Sequence, residues 1–210
     1  MEWDFNGLAP GQRYKLLVGL VVPRPIAWVT SSSPAGLVNA APYSFFNVLG
    51  DDPPLVMISV ENRDAGPMKD TARNILETKE FVVNMADEST LEKMHASSNP
   101  YPPEVSEPEV LGLALAPSLA VGPPRLADSP VSFECRLHTH LDLGGRHLLI
   151  GQVHWLHVHE GIVDPESLRV QMDVYHPVGR LYANRYVRTR EQLTVEANSY
   201  NQGRLKLGKL

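Results

Sequence analysis

From Val131 to Leu143 the chain alternates. Val131, Phe133, Cys135, Leu137, Thr139, Leu141 and Leu143 are interleaved with Ser132, Glu134, Arg136, His138, His140 and Asp142. A period of two over this length is the signature of an extended strand with one buried face, because a helix would scatter the same residues around its circumference. Gly144-Gly145 follows and takes positive φ at little steric cost, so it supplies a tight turn. His147 to Val158 then reads as the return strand. This long hairpin commits the chain to an antiparallel sheet, with the Val131 series expected inward and the Ser132 series toward water.

The remaining segments agree with a β protein. Arg13–Val18 can form a short helix, which Pro23 and Pro25 prevent from continuing. Ile26–Thr30 reads as a strand and Ser33-Pro34-Ala35-Gly36 as a turn. Leu37–Asn47 reads as a second strand, in which Pro42 marks a bulge or a switch of pairing. Leu55–Val60 and Phe81–Met85 read as buried strands. Lys69–Thr78 predicts a helix, and the capping box Ser89-Thr90-Leu91-Glu92 predicts another beginning near Ser89. Between Ser97 and Pro124 lie Pro100, Pro102, Pro103, Pro108, Pro117, Pro123 and Pro124. An excursion of that kind reads as a functional loop, a partner contact or a disordered segment. Many strands, a few short helices and no sustained βαβ alternation predict a β-barrel decorated by helices.

Composition narrows the function. At 210 residues and 43% hydrophobic, one domain spanning 1–210 can bury a core. A net charge of −5 argues against nucleic acid as a partner. A single cysteine, Cys135, excludes an intrachain disulfide and fits a reducing compartment. No apolar run approaches the ~20 residues of a membrane span, and Met1-Glu2-Trp3-Asp4 lacks the pattern of a signal peptide. The expectation is a cytoplasmic protein with no membrane partner.

Three groups of residues could carry chemistry. The run Pro23–Ser32 ends in the hydroxyls of Thr30, Ser31 and Ser32, and Asn39–Asn47 returns with an amide and aromatics among very small residues. Small residues let a backbone approach a flat ligand, while hydroxyls and amides bond it directionally. Lys69-Asp70-Thr71 stands at a predicted helix start, where free N–H groups and the positive dipole end favour a phosphate; the alternative is that Asp70 or Thr71 merely caps the helix. The pairs His138/His140 and His157/His159 could ligate a metal, but solvated histidines on the outer hairpin face are preferred, and no metal site is assigned. Cys135 reads as a packed thiol. Trp28 and Trp155 read as core or interface aromatics.

Taken in order, several motifs resemble the flavin reductase-like, FMN-binding split-barrel family. They are Arg24-Pro25-Ile26-Ala27-Trp28-Val29-Thr30, Asn39-Ala40-Ala41-Pro42-Tyr43-Ser44-Phe45-Phe46, Pro53-Pro54-Leu55-Val56, Lys69-Asp70-Thr71 with Asn74-Ile75, Phe81-Val82-Val83-Asn84, Gly145-Arg146-His147 before Gly151, and Pro177-Val178-Gly179-Arg180-Leu181. The likeness spans about residues 13–188 and is similar to the branch of flavoredoxin and the reductase components of two-component monooxygenases. It implies a mainly β fold with short helices, an FMN-binding split β-barrel of Greek-key type, with a tail over 189–210 that is extended or wraps a partner. It implies FMN as cofactor, NADH or NADPH as transient co-substrate, a homodimer with FMN near the interface, and a monooxygenase or other electron acceptor as partner. By position it places Thr30, Ser31 and Ser32 near the flavin and its phosphate, and Asn39, Ala40, Ala41, Ser44, Phe46 and Asn47 along the ring. It places Lys69 and Thr71 at the phosphate, His147 in a catalytic role beside the ring, and Arg180 near the cofactor. Where the family shows two glycines after Arg180-Leu181, this chain has Tyr182-Ala183. An FMN-binding electron carrier without a nicotinamide site is the second reading, and a metal-dependent β-barrel enzyme the third.

Overall fold

A computed structural model describes residues 1–63 and 66–195. Its main feature is a seven-stranded antiparallel sheet built from β1 (Ala27–Ser32), β2 (Val38–Tyr43), β3 (Phe46–Asp51), β4 (Pro54–Glu61), β5 (Glu80–Met85), β8 (Val131–Asp142) and β9 (Arg146–Val158), in the order β2-β1-β5-β8-β9-β4-β3. Its two outermost strands, β2 and β3, are consecutive in the chain and joined only by Ser44-Phe45. Laid flat, they would lie roughly 29 Å apart at the usual strand spacing. Three Cα–Cα steps reach at most about 11 Å. The sheet must therefore curl into a barrel, and Ser59 N–H donates to Phe45 O at 2.8 Å across the corner. The predicted single strand Leu37–Asn47 is thus two, and the change of partner falls after Pro42.

The barrel interior holds Val29, Tyr43, Phe46, Val56, Ile58, Val60, Phe81, Val83, Cys135 and Leu149, together with Ala72 and Ile75 from helix α2 (Asp70–Thr78). The other face of β1 is also buried: Ile26, Trp28 and Ala40 pack with Met94 of α3 (Leu91–Ala96), Leu113, Leu126 and Val178. That double burial explains why β1 reads as a continuous apolar run rather than an alternating one. Helix α1 spans Pro10–Leu20, longer than predicted, because Pro10 opens it and the Gln12 side chain accepts from Ala9 N–H at 2.9 Å. Helix α3 begins at Leu91 without the expected capping box; Asp87 Oδ1 instead accepts from the backbone N–H groups of Ser89 and Thr90, both at 3.0 Å.

The hairpin is present, but its faces depart from simple alternation. Bulges between Glu134 and Cys135 and between Leu137 and Thr139 shift the phase of β8. Beyond the second bulge Leu141 and Leu143 are half exposed, whereas His140 turns to bond His147. Ser132 and Glu134, expected in water, are buried beneath the proline-rich excursion. That segment carries α4 (Glu107–Val110), β6 (Leu115–Ala116) and β7 (Arg125–Leu126) and is pinned by polar bonds. Glu134 accepts from the N–H groups of Leu119, Ala120 and Val121, and Thr30 Oγ1 donates to Pro124 O at 2.6 Å. The chain ends its described part with β10 (Val178–Arg180) paired to β11 (Tyr186–Arg188). Residues 196–210, most of the tail expected to extend or wrap a partner, lie outside the described residues. No described helix is long and apolar enough to cross a membrane.

Candidate functional site

Two cavities of about 430 and about 440 Å³ meet at Pro42 and Ser98. The first is bounded by one face of β2 (Asn39, Ala41 and Tyr43), the end of β4 with Asn62 and Arg63, the start of α2 with Lys69, Asp70 and Thr71, the loop 97–101, and Glu107. The alternation of β2 selects its odd-numbered residues for this face. Small Ala41 leaves room beside them.

The start of α2 has the chemistry of an anion site. Neither Asp70 nor Thr71 caps it, and Lys69 at the N-cap makes no side-chain cap bond. Asp70 is instead held between Arg63 and Arg73. The Thr71 hydroxyl accepts from Asn39 Nδ2 at 2.8 Å and bonds the Tyr43 hydroxyl. The first N–H groups of the helix therefore keep their donor capacity, and Lys69 has no carboxylate partner among the described residues. Tyr43 is held well above the usual phenol range by burial, so its hydroxyl stays protonated. Glu107 is buried at the opposite side and accepts from Ala40 N–H at 3.0 Å. Burial, opposed by that bond, and the nearby charge of Asp70 hold its carboxyl above the usual range.

Of the residues expected at a cofactor, Asn39, Ala41, Lys69 and Thr71 line this cavity, and Ser44 and Arg180 line the second. Thr30 and Ser31 are fully buried, bonded to Pro124 and Asn84 and to Asn74 respectively. Ala40 is buried with its N–H on Glu107, and Phe46 is in the barrel core. Ser32 is half-buried at the end of β1, and Asn47 is exposed on β3 with its Oδ1 accepting from Val48 N–H. Neither lines either of these two cavities. His147 is buried behind the first cavity: its Nε2 bonds Asn62 Oδ1 and its Nδ1 bonds His140 Nε2, both at 3.0 Å.

Asn62, Arg63, Tyr43, Tyr101 and Glu107 were not singled out from sequence. Tyr43 belongs to the motif Asn39–Phe46, and its place on the Asn39 face is a usable signal. The others act across long separations, such as the 67 positions between Ala40 and Glu107, and carry no local mark.

The histidine pairs do not assemble a metal centre. His140 bonds His147, His157 bonds Glu134, and His159 bonds Ala127 O. Among the described residues no cluster of three or more His, Cys, Asp or Glu side chains forms one. Cys135 is fully buried, and burial pushes its thiol up, so it is packed rather than reactive.

The first cavity fits FMN in kind: a size usual for small-molecule sites, a cationic helix start for a phosphate, and a small-residue strand for a flat ring. Comparisons agree. A protein of Aquifex aeolicus is 47% identical over 175 residues, 83% of this chain and 89% of its own. A 2-nitrobenzoate 2-nitroreductase from Pseudomonas fluorescens superposes with a TM-score of 0.89 at 39% identity, covering 95% of this chain and 98% of that one. Nitrilotriacetate monooxygenase component B from Bacillus cereus gives 0.88 at 34%, covering 93% and 98%. Residues 19–189 match the flavin reductase like domain. With that match spanning the barrel and the whole lining of the first cavity, the chain belongs to the flavin reductase like family.

Proposed function

We propose that the protein is an FMN-dependent oxidoreductase that takes hydride from NADH or NADPH. The carrying observation is the uncapped start of α2 with Lys69, facing the small-residue strand β2 across one cavity. Bound there, FMN supplies the redox chemistry, which needs no protein nucleophile. Lys69 and the first N–H groups of α2 hold the phosphate, Asn39 and Thr71 fix that end, and Ala41, Tyr43 and Pro42 wall the ring. His147, acting through Asn62, orients the carboxamide that borders the cavity. The working unit is a homodimer with FMN near its interface, and the electrons pass to a partner monooxygenase or to a small acceptor. The relatives support both outlets, one being a monooxygenase component and one a nitroreductase.

Anaerobic mixing of FMN-loaded protein with each pyridine nucleotide tests the reading. Bleaching of the flavin band by NADH or NADPH supports it, and persistence of the oxidised spectrum with both would sink it. Lys69→Ala is expected to weaken FMN binding about tenfold or more, since a hydrogen bond to a charged group contributes about 1.5–3 kcal/mol, with circular dichroism unchanged. His147→Ala is expected to retain FMN but reduce it more slowly. Light scattering should give twice the chain mass. A second reading, an electron carrier without a nicotinamide site, is favoured by Tyr182, which borders the second cavity in place of a small residue. It predicts reduction by a protein partner and by neither nucleotide.

A further inference from the structure

We propose that the second cavity binds a planar aromatic carboxylate. Three cations line it, Lys15, Arg24 and Arg180, together with three aromatic rings, Tyr14, Phe45 and Tyr182, and no Asp or Glu is among its lining residues. That is unusual for a chain with 24 acidic against 19 basic residues.

Arg24 is the decisive group. It is 8% exposed, and among the described residues it has no carboxylate partner. Its protons go to neutral oxygens: Val18 O at 2.6 Å, Val21 O at 2.8 Å, Leu181 O at 3.0 Å and Ser44 Oγ at 3.3 Å. Hydrogen bonds of that kind fix the guanidinium without neutralising it. Arg180 is held next to it, because the two backbones exchange N–H···O bonds of 3.0 and 2.8 Å. Burial lowers the pKa of Arg24, opposed by Tyr14 and reinforced by the like charge of Arg180. The Arg180 guanidinium lies over the Tyr186 ring at 4.7 Å and donates to the Tyr186 hydroxyl, which leaves most of its five donors without a partner among the described residues.

Two arginines on bridged backbones, both lining one cavity and close enough for the charge of Arg180 to act on Arg24, are costly without an acid beside them, and an anion relieves that cost. A carboxylate suits the planar fork of Arg180. Tyr14 and Tyr182, 52% and 44% exposed, offer ring faces at the opening, and rings paired with rings contribute beyond simple burial. The shared wall of Pro42 and Ser98 places such a ligand next to the first cavity. Its role as a second substrate rests on the flavin reading; its chemistry does not.

The test uses the full chain, with and without FMN, titrated with 4-fluorobenzoate and with uncharged 4-fluorobenzamide by fluorine NMR. The benzoate is expected to bind at least tenfold tighter than the benzamide. Arg180→Gln should weaken the benzoate about tenfold. Lys15→Gln, on an exposed helix position that leaves the fold intact, should weaken it a few-fold. Equal affinity for the two probes, or benzoate affinity unchanged in both variants, overturns the proposal. Displacement of the benzoate by NADH that binds tenfold tighter without FMN assigns the cavity to the dinucleotide and also overturns it. FMN affinity, read by flavin fluorescence in the same samples, keeps the two questions apart. Benzoate bound with charge discrimination but no FMN retains this site and removes the flavin reading. FMN bound with no discrimination does the reverse.

Discussion

Two buried glutamates respond to pH with opposite sign. Glu107 is held above its usual range by burial, and then by Asp70, against the opposing bond from Ala40 N–H. The native state therefore binds that proton more tightly than the unfolded chain does, and stability falls as pH rises above about 4.3. Glu107→Gln keeps an acceptor for Ala40 N–H and removes the charge. It is expected to melt higher than the parent at pH 7, with the difference vanishing below about pH 4, where the parent carboxyl is protonated in both states. Thermal scans at the two pH values decide it, and a pH-independent difference would exclude titration as the cause. Glu134 behaves conversely. Burial pushes it up, but His157 and the N–H groups of Leu119 and Ala120 outweigh that and hold it below its usual range. Its stabilisation is full above about pH 4.3 and is lost as pH falls through the lower folded value. Glu134→Gln turns an amide donor toward existing donors and should cost about 1–3 kcal/mol. Urea unfolding measures that loss, and cleavage by protease between 115 and 125 should accelerate.

Among the elements, β9 has a constraint that neither period nor propensity reveals. A Cβ on Gly151 would lie 2.4 Å from Phe81 Cζ, and Phe81 is fully buried in the barrel. Gly151→Ala should cost about 1–3 kcal/mol by overpacking. Adding Phe81→Leu should recover part of that loss, so a double-mutant cycle should be strongly non-additive; simple additivity would mean that the ring moves freely. The helix Lys69–Thr78 and the strands β1, β4, β5, β8 and β9 were legible because their cues are local: period, turn residues and proline. The faces of β8 were not, because a bulge depends on the neighbouring strand, and neither Glu134 nor Ser132 shows in sequence that a distant loop will cover it. The cap of α3 departs from the reading for a similar reason: Ser89 and Glu92 have the right spacing, yet Asp87 is close enough to take the N–H groups of Ser89 and Thr90.

On the scale of the molecule, closure of the barrel was hidden at Ser44-Phe45, where an apparently continuous strand changes sides of the sheet. The lining of the first cavity was legible where it is local, at Lys69 and Thr71 and along Asn39 and Ala41. It was hidden where the chain folds back, at Arg63, Asn62 and Glu107. Thr30 and Ser31 show the limit of reading hydroxyls as ligand groups, since both bond within the protein. The wall common to the two cavities has a thermodynamic consequence. Pro42 and Ser98 face both, and the consequence holds if an occupant on one side shifts that partition for the other. Their free energies of occupancy are then linked, and linkage is reciprocal. If flavin tightens an aromatic acid fivefold, the acid must tighten flavin fivefold, so the protein would hold its cofactor most firmly when an acceptor is present.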